Sequence, residues 1–183
     1  PYTTLFRSTE GKFFLDGQDI LNCSENDMSD IRLNKIGFVF QSFHLLPRQS
    51  ALANVELPLN YAKVPKKERR QRAMKALERV GLADRVDFKP NQLSGGQMQR
   101  VALAGILAMK PDVIVLDEPT SQLDPAGSEE VFEAVDKLAK SGITIIMVEQ
   151  KLEKLAEYCD KILLLHDGHQ IAFDTPDKIC SRS

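Results

Sequence analysis

Two short segments of the chain carry side chains and backbone suited to phosphate chemistry. The first, Leu93–Gln97, reads LSGGQ. Its glycines let the backbone approach an anion, and a helix that begins there offers free N–H groups and partial positive charge. The second, Val113–Glu118, reads VIVLDE, an apolar run that ends in two carboxylates. Because carboxylates are costly to bury without a partner, this run predicts a site where they meet a metal or a reacting group.

Each segment also has a simpler structural interpretation. Ser94 followed by Gln97 has the spacing of a capping box, so LSGGQ alone is compatible with an ordinary helix start. Asp117 and Glu118 are compatible with capping of the next helix. The occurrence of both segments in one chain favours the chemical interpretation. One carboxylate would then bind Mg²⁺, usually through water, and the other would orient and deprotonate the attacking water.

Strands and helices alternate around these segments. Strands are predicted at Phe13–Leu15, Ile36–Phe40, Val113–Leu116, Ile143–Val148, Ile162–Leu165 and Gln170–Phe173. Helices are predicted at Pro65–Val80, 94–109, Ser128–Lys140 and Lys151–Tyr158 and from Thr175, and Leu45–Tyr61 is expected to be loop with a short helix. The alternation predicts an α/β fold with a mainly parallel sheet. It places Asp117 and Glu118 at the carboxyl end of a central strand, and the run before them is typical of a strand covered on both faces.

The composition is that of an ordinary water-soluble domain. The chain has 183 residues, of which 43% are hydrophobic and 27% charged, and its net charge is −2. This charge gives no general attraction to nucleic acid, and we predict no nucleic-acid partner. The three cysteines show no metal-binding spacing, and the apolar runs are too short to span a bilayer. Any connection to a membrane is therefore expected to go through a partner.

The motifs resemble those of the nucleotide-binding domain of ABC transporters. Leu93–Gln97 matches the family signature, and Val113–Glu118 matches the Walker B strand with its catalytic Glu. Gln41 matches the Q-loop, and Ser121–Asp124 matches the D-loop. The resemblance covers residues 9 to about 180. It implies a P-loop NTPase-like α/β core with a helical lobe at about 62–109.

The resemblance also implies roles for single residues in ATP hydrolysis. Glu118 would be the general base, and Asp117 would support Mg²⁺. Gln41 would contact the metal, partly through water, and sense the attacking water. Gln150 occupies the place of a family His and would complete the catalytic set. Glutamine can hydrogen-bond there but cannot carry a proton as imidazolium does.

The same family resemblance implies a dimer. Ser94, Gly95, Gly96 and Gln97 would close on the γ-phosphate of ATP bound to a second ABC domain. Ser121 and Asp124 would lie in that dimer interface. ATP and Mg²⁺ are thus the implied cofactors, and a second ABC ATPase domain and a transmembrane permease subunit are the implied partners. The expected location is cytoplasmic, peripheral on the inner face of the membrane.

The beginning of the sequence departs from the family pattern. The family's Walker A loop would precede Gly11, and no such motif occurs in the 183 residues. Residues 1–8 resemble a translated sequencing adapter, so we interpret them as a non-native leader and 9–183 as a domain fragment that lacks its first strands and P-loop. The alternative is a family member that has lost its P-loop. Without that loop we predict that this polypeptide binds ATP poorly and does not hydrolyse it.

The family branch and the biological role remain open from sequence. The segment from Phe38 to Gln97 resembles the lipoprotein- and macrolide-export branch, and the segment from Gly105 to Ile179 resembles energy-coupling-factor importers. A chimeric sequence joined near Leu93 would explain the difference. Two alternatives to a transport ATPase are a non-hydrolysing regulatory partner in a heterodimer and a non-transport ABC ATPase. The missing P-loop motif and Gln150 favour the regulatory partner, whereas Glu118 opposes it.

Overall fold

The structure, a computed structural model, describes residues 11–12, 14–15, 17–24, 31, 35–41 and 44–181. The predicted non-native leader over residues 1–8 lies outside this part of the chain. Phe13, the first residue of the first predicted strand, also lies outside it. All structural statements below concern the described residues.

A parallel sheet lies at the centre of the fold. The strands are β1 (Phe14–Leu15), β2 (Gln18–Asp19), β3 (Ile36–Val39), β4 (Val113–Asp117), β5 (Thr144–Val148), β6 (Ile162–His166) and β7 (His169–Asp174). β3, β4 and β5 form the parallel sheet in that order, so β4 is central. β1 with β2 and β6 with β7 form antiparallel hairpins. The predicted α/β fold with a mainly parallel sheet is confirmed.

Helices connect the parallel strands and pack against them. They are α1 (Ala51–Tyr61), α2 (Lys66–Arg79), α3 (Gly95–Leu107), α4 (Pro125–Lys140), α5 (Leu152–Tyr158) and α6 (Pro176–Cys180). Short 3-10 turns lie at Ile20–Asn22, Ala83–Arg85 and Pro90–Gln92. Among these helices, none is long and apolar enough to cross a membrane.

The helix α1 is longer than the sequence predicts. Leu45–Tyr61 was expected to be loop with a short helix because it contains two prolines, yet α1 has 11 residues. The Ser50 hydroxyl caps it by accepting from the Ala53 N–H at 3.2 Å. Pro58 removes one helical donor, but one stripe of the helix is buried and offsets this cost. Its members are Leu52, Val55 and Leu59.

One hydrophobic core joins the helices to the sheet. Buried residues from α1, α2, α3, α4 and β4 belong to a single cluster, including Leu59, Leu77, Leu103, Leu138 and Ile114. Residues 62–109, predicted as a helical lobe, contribute α2 and α3 to this cluster. The boundaries of the lobe stay a prediction. The shared core fixes the beginning of α3 relative to the end of β4.

The described residues cover only one face of the parallel sheet. On the open face, Phe38, Val115 and Ile146 are register partners and form a row across the three strands. Phe38 is 43% exposed and Ile146 is 53% exposed, whereas Ile114 on the other face is fully buried. Val113 and Val115 themselves are half-buried, so the described residues cover Val113–Leu116 fully on one face and in part on the other.

Two glycines bring the beginnings of α3 and α4 into contact. A Cβ atom on Gly96 would lie 2.9 Å from the Cα and 3.0 Å from the carbonyl oxygen of Gly127. Because both neighbours are backbone atoms, only glycine fits at Gly96 without a shift of a helix. One turn further on, Arg100 forms an ion pair with Glu130 at 2.8 Å. The signature segment is thus packed against the start of α4, the helix that follows the D-loop segment.

Candidate functional site

Asp117 and Glu118 lie at the carboxyl end of the central strand, where the sequence predicts them. Asp117 ends β4, and its side chain is exposed. Glu118 has a φ of 45°, a left-handed conformation that is unfavourable for a residue with a side chain. Its N–H still donates to the carbonyl of Val148 at 2.9 Å. The strained turn presents two carboxylates at the sheet edge where α/β folds bind ligands.

Gln150 meets Glu118 directly. The Nε2 of Gln150 donates to Oε1 of Glu118 at 2.7 Å, across the ends of β4 and β5. This contact leaves the second carboxylate oxygen of Glu118 available to another donor, such as a water. The predicted catalytic residues Glu118 and Gln150 are therefore brought together.

Gln41 follows β3 at the same edge of the sheet. β3 runs parallel to β4, so its carboxyl end lies on the side that carries Asp117. Gln41 is exposed. No hydrogen bond between described residues joins Gln41 to Asp117 or Glu118. The structure thus places Gln41 near the predicted site by topology and not by direct contact.

The signature segment forms the start of α3 as a capping box. The Ser94 hydroxyl accepts from the Gln97 N–H at 3.2 Å, and the Gln97 side chain accepts from the Ser94 N–H at 3.0 Å. The Ser94 hydroxyl keeps its own proton as a donor, because the cap uses it only as an acceptor. Gly95 and Gly96 are the first two residues of the helix. The predicted cap is confirmed, and it is compatible with anion binding by Ser94.

The D-loop residues Ser121 and Asp124 have local structural partners. Ser121 Oγ donates to the carbonyl of Glu118 at 3.0 Å, which braces the strained turn. Asp124 caps α4 by accepting from the Gly127 N–H at 2.8 Å. The prediction that this helix begins with a Ser128 cap is wrong. An Asp cap followed by Pro125 in the first helical position is the stronger start signal.

The donor chemistry of the site is compatible with Mg²⁺. Asp117 and Glu118 offer carboxylate oxygens, and Gln41 offers an amide oxygen. No group of three His, Cys, Asp or Glu side chains in the described residues is arranged to hold a metal by itself. Mg²⁺ bound with a nucleotide usually takes only one or two carboxylates, with phosphate oxygens and waters as its other ligands. The donor set therefore fits a metal carried in with a nucleotide.

Three residues next to the site were not singled out in the sequence. Thr120 is fully buried, and its hydroxyl donates to the Glu149 carboxylate at 2.7 Å. Lys151 donates to the same hydroxyl at 3.2 Å. These residues flank Glu118 and Gln150 in sequence. In the sequence, only their position beside the motifs could have indicated a role, because the hydrogen bonds of Thr120 to Glu149 and Lys151 join segments far apart in the chain.

A second charged group ties α5 to α4. Lys154 lies 2.6 Å from Glu129, and the Tyr158 hydroxyl donates to Glu129 at 2.5 Å. The hydrogen bond from Lys154, followed by that from Tyr158, lowers the pKa of Glu129 below its ordinary value of 4.5. The same bond to Glu129 raises the pKa of Tyr158 to about 12. This group fixes the helix that follows Gln150.

The Glu129 group predicts acid sensitivity. Because its pKa is lowered on folding, Glu129 contributes stability above pH 4.5 that is lost as the pH falls through the folded pKa. We expect the midpoint of urea unfolding to fall below pH 4.5 and to fall less steeply in Glu129→Gln. Glu153→Gln, an exposed change on the neighbouring helix α5, is the matched control and should keep the wild-type slope. Equal slopes in all three proteins would contradict the assignment.

Known proteins match the chain over most of its length. A family profile described as ABC transporter matches residues 2–121. YvrO of Bacillus subtilis, an uncharacterized ABC transporter ATP-binding protein, is 49% identical over 94% of this chain and 75% of its own length. The macrolide export ATP-binding/permease protein MacB of Bartonella henselae is 43% identical over 92% of this chain and 25% of its own length.

Solved structures agree with these matches. The cbiO1 protein of Clostridium perfringens, part of the ABC transporter complex cbiONQ, superposes with a TM-score of 0.88 at 32% identity, over 98% of this chain and 74% of its own. The cassette MJ0796, as a post-hydrolysis dimer bound to ADP and Pi, superposes with a TM-score of 0.79 at 37% identity, over 94% and 76%. The chain therefore belongs to the ABC transporter family, as part of its ATP-binding ATPase domain.

Proposed function

We propose that the protein is the ATP-hydrolysing subunit of a membrane transporter and drives a substrate through partner permease subunits. The observation that carries this proposal is the Glu118 carboxylate, held by Gln150 at 2.7 Å at the carboxyl end of β4. An oriented carboxylate with one free oxygen is suited to accept a proton from an attacking water. The names of YvrO and MacB support the transport context.

The catalytic roles follow from the side-chain chemistry. Glu118 is the general base, and Gln150 fixes the carboxylate by donating to Oε1. As a neutral amide, Gln150 does not carry the proton onward. Gln41 orients the water from the neighbouring strand end. If Gln150 does not support turnover, the protein is instead a non-hydrolysing partner in a heterodimer.

ATP and Mg²⁺ are the proposed cofactors. Asp117 and Gln41 would hold the metal, partly through water. When bound, Mg²⁺ supplies positive charge that stabilises the phosphate oxygens during transfer. Asp117 is suited to this role because its carboxylate is exposed at the end of β4.

The signature serves a second ABC domain in this proposal. Ser94, Gly95, Gly96 and Gln97 close on the γ-phosphate of ATP bound to the partner, with the helix N–H groups facing the anion. Ser121 and Asp124 lie beside that interface. Dimeric MJ0796 supports a pairing of two cassettes. We further propose that the assembly sits on the inner face of the membrane through its permease partner, with no nucleic-acid partner.

The isolated 183-residue chain should not hydrolyse ATP, because it contains no phosphate-loop motif. It should still complete the site of another domain. We use the name extended form for the same chain with a phosphate-binding loop of the family joined to its amino end. An extended form with Ser94→Arg keeps Asp117 and Glu118 for its own ATP, but its signature segment cannot close on the ATP of a partner. This variant should therefore be inactive alone. Adding the 183-residue chain should restore phosphate release, measured by a phosphate-sensor assay.

The same mixing experiment contains its own control. The 183-residue chain carrying Ser94→Arg should restore nothing, because its signature is blocked as well. Phosphate release by the unmixed 183-residue chain would show that our inactivity prediction is wrong. Equal restoration by both chains would refute the role of Ser94 in trans.

A further inference from the structure

A single buried hydroxyl connects both sequence neighbours of Gln150. The Thr120 side chain is fully buried. Its hydroxyl donates to Glu149 at 2.7 Å and lies 3.2 Å from the Nζ of Lys151. Since Glu149 and Lys151 flank Gln150, one oxygen atom contacts the side chains on both sides of Gln150.

The chemistry of the three groups fixes the direction of these bonds. An ammonium group can only donate and a carboxylate can only accept, whereas a hydroxyl does both. Lys151 must therefore donate to Thr120, and Thr120 is left to donate to Glu149. Each bond strengthens the other, because the hydroxyl is polarised by a cation on one side and an anion on the other. The two hydrogen bonds therefore have a single direction, from Lys151 to Thr120 and from Thr120 to Glu149.

Two more contacts anchor this array to the rest of the site. Lys151 also donates to the hydroxyl of Ser128 on α4 at 3.1 Å, and Ser128 is only 4% exposed. The other oxygen of Glu149 accepts from the Gln150 N–H at 3.0 Å. The backbone that carries Gln150 is thus tied to α4 and to the loop that follows Glu118.

We propose that Thr120, Glu149 and Lys151 form a positioning clamp that holds the Gln150 amide against Glu118. None of the three needs to touch substrate; they act through Gln150. The catalytic consequence rests on the proposed function, but the positioning itself does not. If packing of the loop alone positioned Gln150, the Thr120 hydroxyl would not be needed. The clamp instead predicts that this hydroxyl is required to hold the Gln150 amide in place.

The positioning is tested on the 183-residue chain by NMR of the Gln150 side-chain amide. Thr120→Val removes the hydroxyl at nearly constant volume, and solvent exchange of the Nε2 protons should become about tenfold faster. Thr120→Ser keeps the hydroxyl and should restore slow exchange. Thr144→Val, the same change at an exposed position on β5, should have no effect. Unchanged exchange in Thr120→Val would overturn the clamp.

A substitution at Lys151 provides a second test, because Lys151 is exposed and its replacement does not carry the risk of unfolding that a change at the buried Thr120 carries. Lys151→Met keeps the aliphatic stem but removes the donor, and it should also speed the exchange of the Gln150 amide. In the extended form it should lower kcat about tenfold with little change in KM for ATP. Normal amide exchange in Lys151→Met would overturn the clamp. Faster exchange with unchanged kcat would keep the clamp and count against the catalytic role of Gln150.

Discussion

Replacing Glu118 by Gln in the extended form should lower kcat for ATP hydrolysis by about 100- to 10,000-fold. Gln has nearly the shape of Glu and keeps an oxygen that can accept from Gln150, but it cannot take a proton from water. The left-handed φ of 45° is imposed equally on both residues, so the change leaves backbone strain unaltered. KM for ATP should change little, because in its proposed role Glu118 acts on water and not on the bound nucleotide.

Steady-state phosphate release measures this effect, and Glu133→Gln provides the matched control. Glu133 is an exposed carboxylate on α4 whose ion pair with Lys137 spans 3.8 Å. Turnover in Glu118→Gln at the level of this control would place the general base elsewhere. An extended form that binds ATP and dimerises but shows no turnover even with Glu118 present would instead support the non-hydrolysing partner.

The second large effect concerns the contact between α3 and α4. Gly96→Ala should destabilise the chain by about 1–3 kcal/mol, because the new methyl group meets the Gly127 backbone and one helix must shift. The added Cβ would lie 2.9 Å from the Gly127 Cα and 3.2 Å from the Glu130 carboxylate. Urea unfolding followed by circular dichroism measures the loss.

Gly105→Ala is the matched substitution on the same helix. A Cβ at Gly105 would find its nearest neighbour, Pro58 Cγ, at 4.0 Å. Because Ala is the better helix former, this change should be neutral or stabilise by about 0.5–1 kcal/mol. Similar unfolding midpoints for the two variants would show that the glycine contact does not fix the spacing of the helices.

Local signals made much of the site predictable. The Ser94–Gln97 cap and the β4 strand ending in Asp117 depend on residues close in sequence, and the structure contains both. The start of α4 was misassigned because Ser128 and Asp124 are both good caps. The Pro125 that follows Asp124 decides between them, since its missing N–H is not needed in the first helical turn.

Contacts between distant segments could not be predicted in the same way. The clamp around Thr120 depends on β4 and β5 being register neighbours, which no local pattern specifies. The hydrogen bond between Gln150 and Glu118 was foreseeable only through the resemblance to a family. The length of α1 was missed because Pro58 weighs against a helix locally, whereas burial of Leu59 favours it only after folding.

The open row of Phe38, Val115 and Ile146 affects how the isolated chain behaves in solution. A contiguous apolar surface favours self-association as protein concentration rises. Two chains stacked through this row would have the mass of a dimer without bringing a signature to a carboxylate. A mass measurement alone therefore does not distinguish a dimer formed through this apolar row from a catalytic dimer. In a mixture with the extended form, only the catalytic pair should form in proportion to ATP and dissociate when the nucleotide is removed.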